Sequence, residues 1–112
     1  MSPRDRWRVE HMVEAAEQAL AFVAGRSRGD LDADMMLRKA LTRAVQIIGE
    51  AATQMSAAGR AELPRIPWRQ ITGTRNRLVH PCFDVDADIL WVAATVEVAA
   101  LLAQMKSVAP KS

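Results

Sequence analysis

Hydrophobic residues recur at helical spacing along nearly the whole chain. Met12, Ala16, Leu20 and Val23 fall three or four apart and define the inward face of a first helix, expected from about Pro3 to Ala24. Ser2 suits its N-cap and Pro3 its first turn. Gly25-Arg26-Ser27-Arg28-Gly29-Asp30 breaks the pattern as a loop. A second stripe, Leu37, Leu41, Ala44, Ile48, Ala51 and Met55, predicts a long helix that begins between Leu31 and Asp34 and runs to about Ala58, with Gly59 as its stop. Gly49 interrupts this helix at a cost of about 1 kcal/mol relative to alanine, a cost that a close helix crossing would account for. Gln46, Glu50 and Gln54 give the same helix a polar second face.

Leu63-Pro64-Arg65-Ile66-Pro67-Trp68 reads as a rigid connector into a shorter helix. Trp68, Ile71, Leu78 and Val79 would anchor that helix, Gly73 would allow a bend, and Pro81 would end it. The acidic turn Asp84-Val85-Asp86-Ala87-Asp88 precedes a last helix, with Asp86 as N-cap, running to about Ser107 with Ile89, Ala93, Val96, Ala100 and Ala103 inward. No strand alternation or repeat is present. The expected fold is an all-α bundle of four main helices plus a short motif-bearing helix, in one domain over residues 1–112.

Composition narrows the class. Half of the 112 residues are hydrophobic and 4% are aromatic, which excludes a disordered chain and favours helices. A net charge of +2 and a pI near 9.2 permit nucleic acid as a partner without the dense basic cluster of a dedicated binder. One cysteine rules out an intrachain disulfide and a cysteine metal site. The N-terminus lacks the apolar core of a signal peptide, and no run reaches the roughly 20 apolar residues of a membrane span. The expectation is a soluble, cytoplasmic protein that does not enter a membrane.

The candidate chemistry is concentrated in Thr74-Arg75-Asn76-Arg77-Leu78-Val79-His80-Pro81-Cys82-Phe83. On one helix Asn76 and His80, four apart, share a face. Arg75 lies about 140° round the axis from His80 by the 100° step, within reach of a long side chain. Arg77 points elsewhere, toward a longer ligand or an acidic partner. This set suits attack of an RNA 2′-hydroxyl on the adjacent phosphate. Histidine moves a proton near neutral pH, arginine clamps the phosphate, and asparagine holds an oxygen or orients the histidine. No metal-ligand spacing is evident and no motif asks for a cofactor. Such cleavage needs a base and an acid, whereas each chain offers one histidine here; a two-fold dimer would bring two copies of His80 together. Taken residue by residue, the bland alternatives stay open. His80 can cap a helix or pack on Trp68, Arg75 can pair with Glu50 or Asp84, and Cys82 can be a small apolar residue.

Four segments, in order and spacing, resemble the HepT-like toxins of the HEPN superfamily: Ile48-Gly49-Glu50-Ala51-Ala52, Ile66-Pro67-Trp68-Arg69-Gln70-Ile71, Arg75-Asn76-Arg77-Leu78-Val79-His80, and Phe83-Asp84-Val85-Asp86 leading to Trp91. The resemblance implies an all-α homodimer whose motif helices meet across the two-fold axis. It implies a metal-independent endoribonuclease, the toxin of a toxin–antitoxin pair. The family motif is Arg, four to six residues, His, any residue, Tyr. Arg75 and His80 match its first two positions, and Asn76 matches the polar residue after the arginine. Glu50 is a supporting position. The implied partner is an MNT-type nucleotidyltransferase antitoxin, which in related pairs attaches AMP to the motif tyrosine. Here that position is Cys82, and the chain contains no tyrosine. Control by antitoxin binding alone, a weakened or inactive relative, an engineered variant and a regulated thiol all fit this substitution. A non-catalytic module that binds a nucleotide or RNA, or docks a nucleotidyltransferase, is the alternative function.

Overall fold

A computed structural model describes residues 1–78 and 87–108. Every regular element among them is helical. Helix α1 spans Pro3–Val23, with Ser2 as N-cap accepting from the Asp5 amide and proline in the first turn, as the sequence predicts. Met12 and Ala16 are buried, Leu20 and Val23 pack at the core edge, and Val9, Ala15 and Ala19 complete the inward face.

The predicted second helix is three helices. α2 (Asp30–Ala33) is one short turn. Asp34 then leaves helical geometry and caps α3 (Met35–Gln54) by accepting from the Leu37 amide at 3.1 Å. Met55 and Ser56 are extended, and Ser56 caps α4 (Ala57–Glu62) by accepting from Gly59 N–H at 3.0 Å. Gly59 is therefore inside α4 and does not stop a helix. The physical reason is tertiary: Ser56 donates both its N–H and its hydroxyl to the carboxylate of Asp5, and these bonds hold the chain out of the α3 helix. A Cβ on Gly59 would lie 2.5 Å from Asp5 Oδ2. The buried face of α3 follows the predicted stripe through Leu37, Leu41, Ala44 and Ile48, then passes to Ala52 in place of the partly buried Ala51, and Met55 is buried just beyond the helix.

The connector leads into α5 (Trp68–Leu78), which runs without the bend expected at Gly73. Trp68 and Ile71 anchor it as expected. Ile71 is buried, and Trp68 packs against the core while its indole N–H donates to the Leu63 carbonyl at 3.1 Å. The last helix is composite: α6 (Ala87–Val92), a π-helical turn (Ala93–Glu97) and α7 (Val98–Val108). Its inward face differs from the expectation. Leu90, Ala93, Ala94, Val98, Leu101, Leu102 and Met105 are buried, whereas Val96, Ala100 and Ala103 are exposed. Small or branched apolar residues surround this helix on all sides, so periodicity does not single out one stripe, and the larger leucine and methionine side chains take the interior.

α1 lies between α3 on one side and the last helix on the other, and α5 packs on α3. One correction concerns hydropathy. The stretch Ala87–Met105, 19 residues at mean hydropathy 1.5, is long and apolar enough to cross a membrane by composition, although no such run was expected. Its inner face is part of the core described above. The predicted roles of Val79, Pro81 and Asp86 lie outside the described residues.

Candidate functional site

The site begins with a missing side chain. Gly49 is buried in the middle of α3, where α5 crosses. A Cβ placed on it would lie 2.1 Å from Arg75 Cβ and 2.4 Å from Arg75 Cγ. Only a glycine lets the arginine stem lie on the α3 backbone, so the predicted close crossing is present and its occupant is Arg75. Half-buried Arg75 extends its guanidinium along α5, where Nη1 donates to the Asn76 Oδ1 at 3.1 Å. Its Nε is shielded from solvent and has no hydrogen-bond partner among the described residues. Arg8 and Arg60 also have a buried, unpaired Nε, but each sends a terminal nitrogen to an interior acceptor. Arg8 faces the buried Asp5 at 3.6 Å, and Arg60 donates to the Ala52 carbonyl at 2.8 Å and sits 5.9 Å from the Trp68 ring centre. Among the described residues Arg75 has only the exposed amide of Asn76.

No carboxylate lies within 4.0 Å of Arg75 among the described residues, and Glu50, one residue past the crossing, pairs instead with Arg43 at 3.7 Å. Asp84 lies outside the described residues. Asn76 is exposed. Arg77 closes α5 one residue before its end. His80 and Cys82 lie outside the described residues, so what the structure brings together is Gly49, Arg75 and Asn76, whereas Glu50 turns to Arg43. Among the described residues no group of three His, Cys, Asp or Glu side chains could hold a metal ion.

Two polar features went unpredicted. Thr74, 2% exposed, donates its hydroxyl to Glu97 Oε1 at 3.1 Å, tying the residue before Arg75 to the π-helical turn. No local pattern announces a bond between residues 23 positions apart. Asp5, 1% exposed, is the second. The Ser56 hydroxyl and amide, in that order, hold its carboxyl below the ordinary aspartate range, with Ser2 and the Arg8 charge adding to this against the opposing effect of burial.

An all-helical bundle that carries Arg75 ahead of a histidine in the Arg-x4-His spacing is the fold and motif that the resemblance implied. The sequence model of the family described as Ribonuclease HepT-like matches residues 12–108, and the chain belongs to this family, within the HEPN superfamily. It is 32% identical over 103 residues to "Putative RNase TTE0752" of Caldanaerobacter subterraneus subsp. tengcongensis, covering 92% of each chain. It is 31% identical over 93 residues to "Probable ribonuclease HepT" of Thermococcus cleftensis, covering 83% of this chain and 84% of that one. "Putative RNase MJ1380" of Methanocaldococcus jannaschii is 32% identical over 80 residues, with 71% of this chain and 73% of the relative covered. No solved structure matches.

Proposed function

We propose that this protein is a cytoplasmic endoribonuclease of the HepT type, the toxin of a toxin–antitoxin pair, acting as a homodimer through Arg75, Asn76 and His80. The observation that carries the reading is Arg75: its stem is fixed on Gly49, while its guanidinium holds no counter-charge among the described residues. A cation held in place without a protein anion is suited to an anionic ligand, and family membership makes RNA phosphate the natural one.

The ribose 2′-hydroxyl attacks the adjacent phosphorus while His80 takes its proton. The bond from phosphorus to the 5′-oxygen breaks, and that oxygen takes a proton from the second copy of His80, supplied by the other protomer. The products are a 2′,3′-cyclic phosphate and a 5′-hydroxyl. Arg75 binds the non-bridging oxygens as charge develops on them. Asn76, whose amide oxygen accepts from Arg75, would offer its NH₂ to a phosphate oxygen or to His80. Arg77 would contact the RNA backbone beyond the cleaved linkage, and Glu50 would brace the α3 side of the crossing. None of these steps requires a metal ion.

The dimer draws support from an apolar strip on the last helix. Val92 and Val96 are 46% and 64% exposed, in line with exposed Ala99, Ala100 and Ala103. An MNT-type nucleotidyltransferase antitoxin would restrain the enzyme. Without a tyrosine anywhere in the sequence, this restraint works by binding and not by attaching AMP to tyrosine.

Total RNA treated with the protein in the presence of a chelator should be cut to fragments ending in 2′,3′-cyclic phosphate. His80→Ala should lower that rate by roughly 10²–10⁴. Undiminished cleavage by His80→Ala, or 5′-phosphate products, would overturn the mechanism. Cys82 at the tyrosine position favours one other reading, a module that binds RNA or the nucleotidyltransferase without cutting. Its mark would be salt-sensitive RNA binding with no cleavage by the wild-type protein.

A further inference from the structure

We infer that Glu97, acting through Thr74, is a positioning residue for Arg75, and that the π-helical turn exists to place it there. This rests on the proposed nuclease site. Thr74 and Arg75 are consecutive on α5, so their side chains leave the helix about 100° apart. Arg75 goes down onto Gly49 of α3, and Thr74 goes to the last helix, where its hydroxyl donates to Glu97 Oε1 at 3.1 Å. A helix resting on one neighbour can still roll about its axis. A second contact in another direction removes that freedom, and here the second contact is a directional bond made by a side chain 2% exposed. The bond is directional, so it favours the roll of α5 that keeps Thr74 opposite Glu97.

Glu97 closes the π-helical turn, in which the Val98 N–H donates to the Ala93 carbonyl five residues back. Such a turn holds one residue more than an α-helical turn. Drawn as an uninterrupted α-helix, the segment would swing everything beyond it by about 100°. Leu90 before the turn and Val98 after it are both buried, so the hydrophobic contacts of this helix are kept on both sides of the extra residue. What the turn adds is a carboxylate, half-buried and aimed at the residue before the motif arginine.

The test uses the full chain with two readouts, RNA cleavage and the NMR signal of Arg75 Nε–H, which reports the setting of that side chain with no RNA present. Thr74→Val keeps the shape and removes the donor. It should lower kcat about tenfold with KM changed less than threefold, and should shift or broaden the Arg75 signal. Thr74→Ser should recover both. Glu97→Gln keeps an acceptor oxygen and should stay within about threefold of wild type, whereas Glu97→Ala should match Thr74→Val. The Thr74→Val/Glu97→Ala double variant should be no worse than either single one. An unchanged Arg75 signal together with wild-type kcat in Thr74→Val and Glu97→Ala would overturn the inference. So would a loss of kcat that follows only the loss of folded protein. If the wild-type chain cuts no RNA while the Arg75 signal still depends on Thr74 and Glu97, the nuclease reading fails and the positioning role stands.

Discussion

Two glycines let a charged side chain into the interior of this small bundle, and the two charges are treated in opposite ways. At Gly59 the missing Cβ makes room for Asp5, whose oxygens accept from the Ser56 amide and hydroxyl and face Arg8. At Gly49 it makes room for Arg75, whose guanidinium donates one bond to a solvent-exposed amide oxygen and whose Nε donates none among the described residues. Burying polar groups stabilises a fold only when their hydrogen bonds are met. The first cluster meets that condition and joins α1 to the start of α4. The second does not among the described residues, although it sits at a close crossing of two helices. A satisfied charge holds the fold together; a fixed but unsatisfied one is available to a ligand.

The contrast can be broken most severely at Gly49. Gly49→Ala would set a methyl group 2.1 Å from Arg75 Cβ, and neither α3 nor α5 can yield without shifting the arginine. We expect a loss of about 1–3 kcal/mol in stability by denaturant titration, with RNA cleavage falling further than the folded fraction. Stability and activity close to wild type would mean that the crossing is looser than described.

The Asp5 cluster makes a prediction in pH. Its carboxyl titrates below the unfolded value near 3.9, so its contribution is fully present above that value and is lost as pH falls through the folded pKa. Asp34, lowered chiefly by the Leu37 amide, adds in the same direction. Asp5→Asn should be less stable than wild type at neutral pH, and the gap should shrink as pH drops from about 5 toward 2. A gap independent of pH would mean that the charge of Asp5 contributes nothing.

Gly73 supplies the control. A Cβ there meets nothing within 4 Å among the described residues, and the helix through it is continuous. Gly73→Ala should therefore stabilise the protein, by about 0.5–1 kcal/mol in the same titration. A destabilised variant would show that this face of α5 is covered in solution.

Much of this was legible in the residues. The helical pattern showed the all-α class, the cap at Ser2 and the face of α3, because each depends on neighbours a few positions apart. Gly49 was readable as a crossing because a glycine within an otherwise good apolar helix asks for a reason. Gly59 was misread for the complementary cause. Its reason is Asp5, and the Asp5–Ser56 bonds span 51 positions, beyond any local pattern. The face of the last helix was misread because apolar residues lie all round it, and its π-helical turn left no mark in composition. At the site, sequence singled out Arg75 and Asn76, which the structure brings together. It could not show Glu97 behind them, since a bond between side chains on separate helices depends on how those helices are rolled.

The most direct measurement is the cleavage rate of a short single-stranded RNA by Arg75→Ala beside wild type, with the folded fraction of each determined in the same samples. An arginine held in place to receive phosphate should be worth roughly 10²–10³ in rate when removed, as for other groups that stabilise developing negative charge, while the cost in stability should be confined to the packing that its stem makes on Gly49. Cleavage by Arg75→Ala within threefold of wild type, from a fully folded sample, would contradict the assignment of this crossing as the reactive centre.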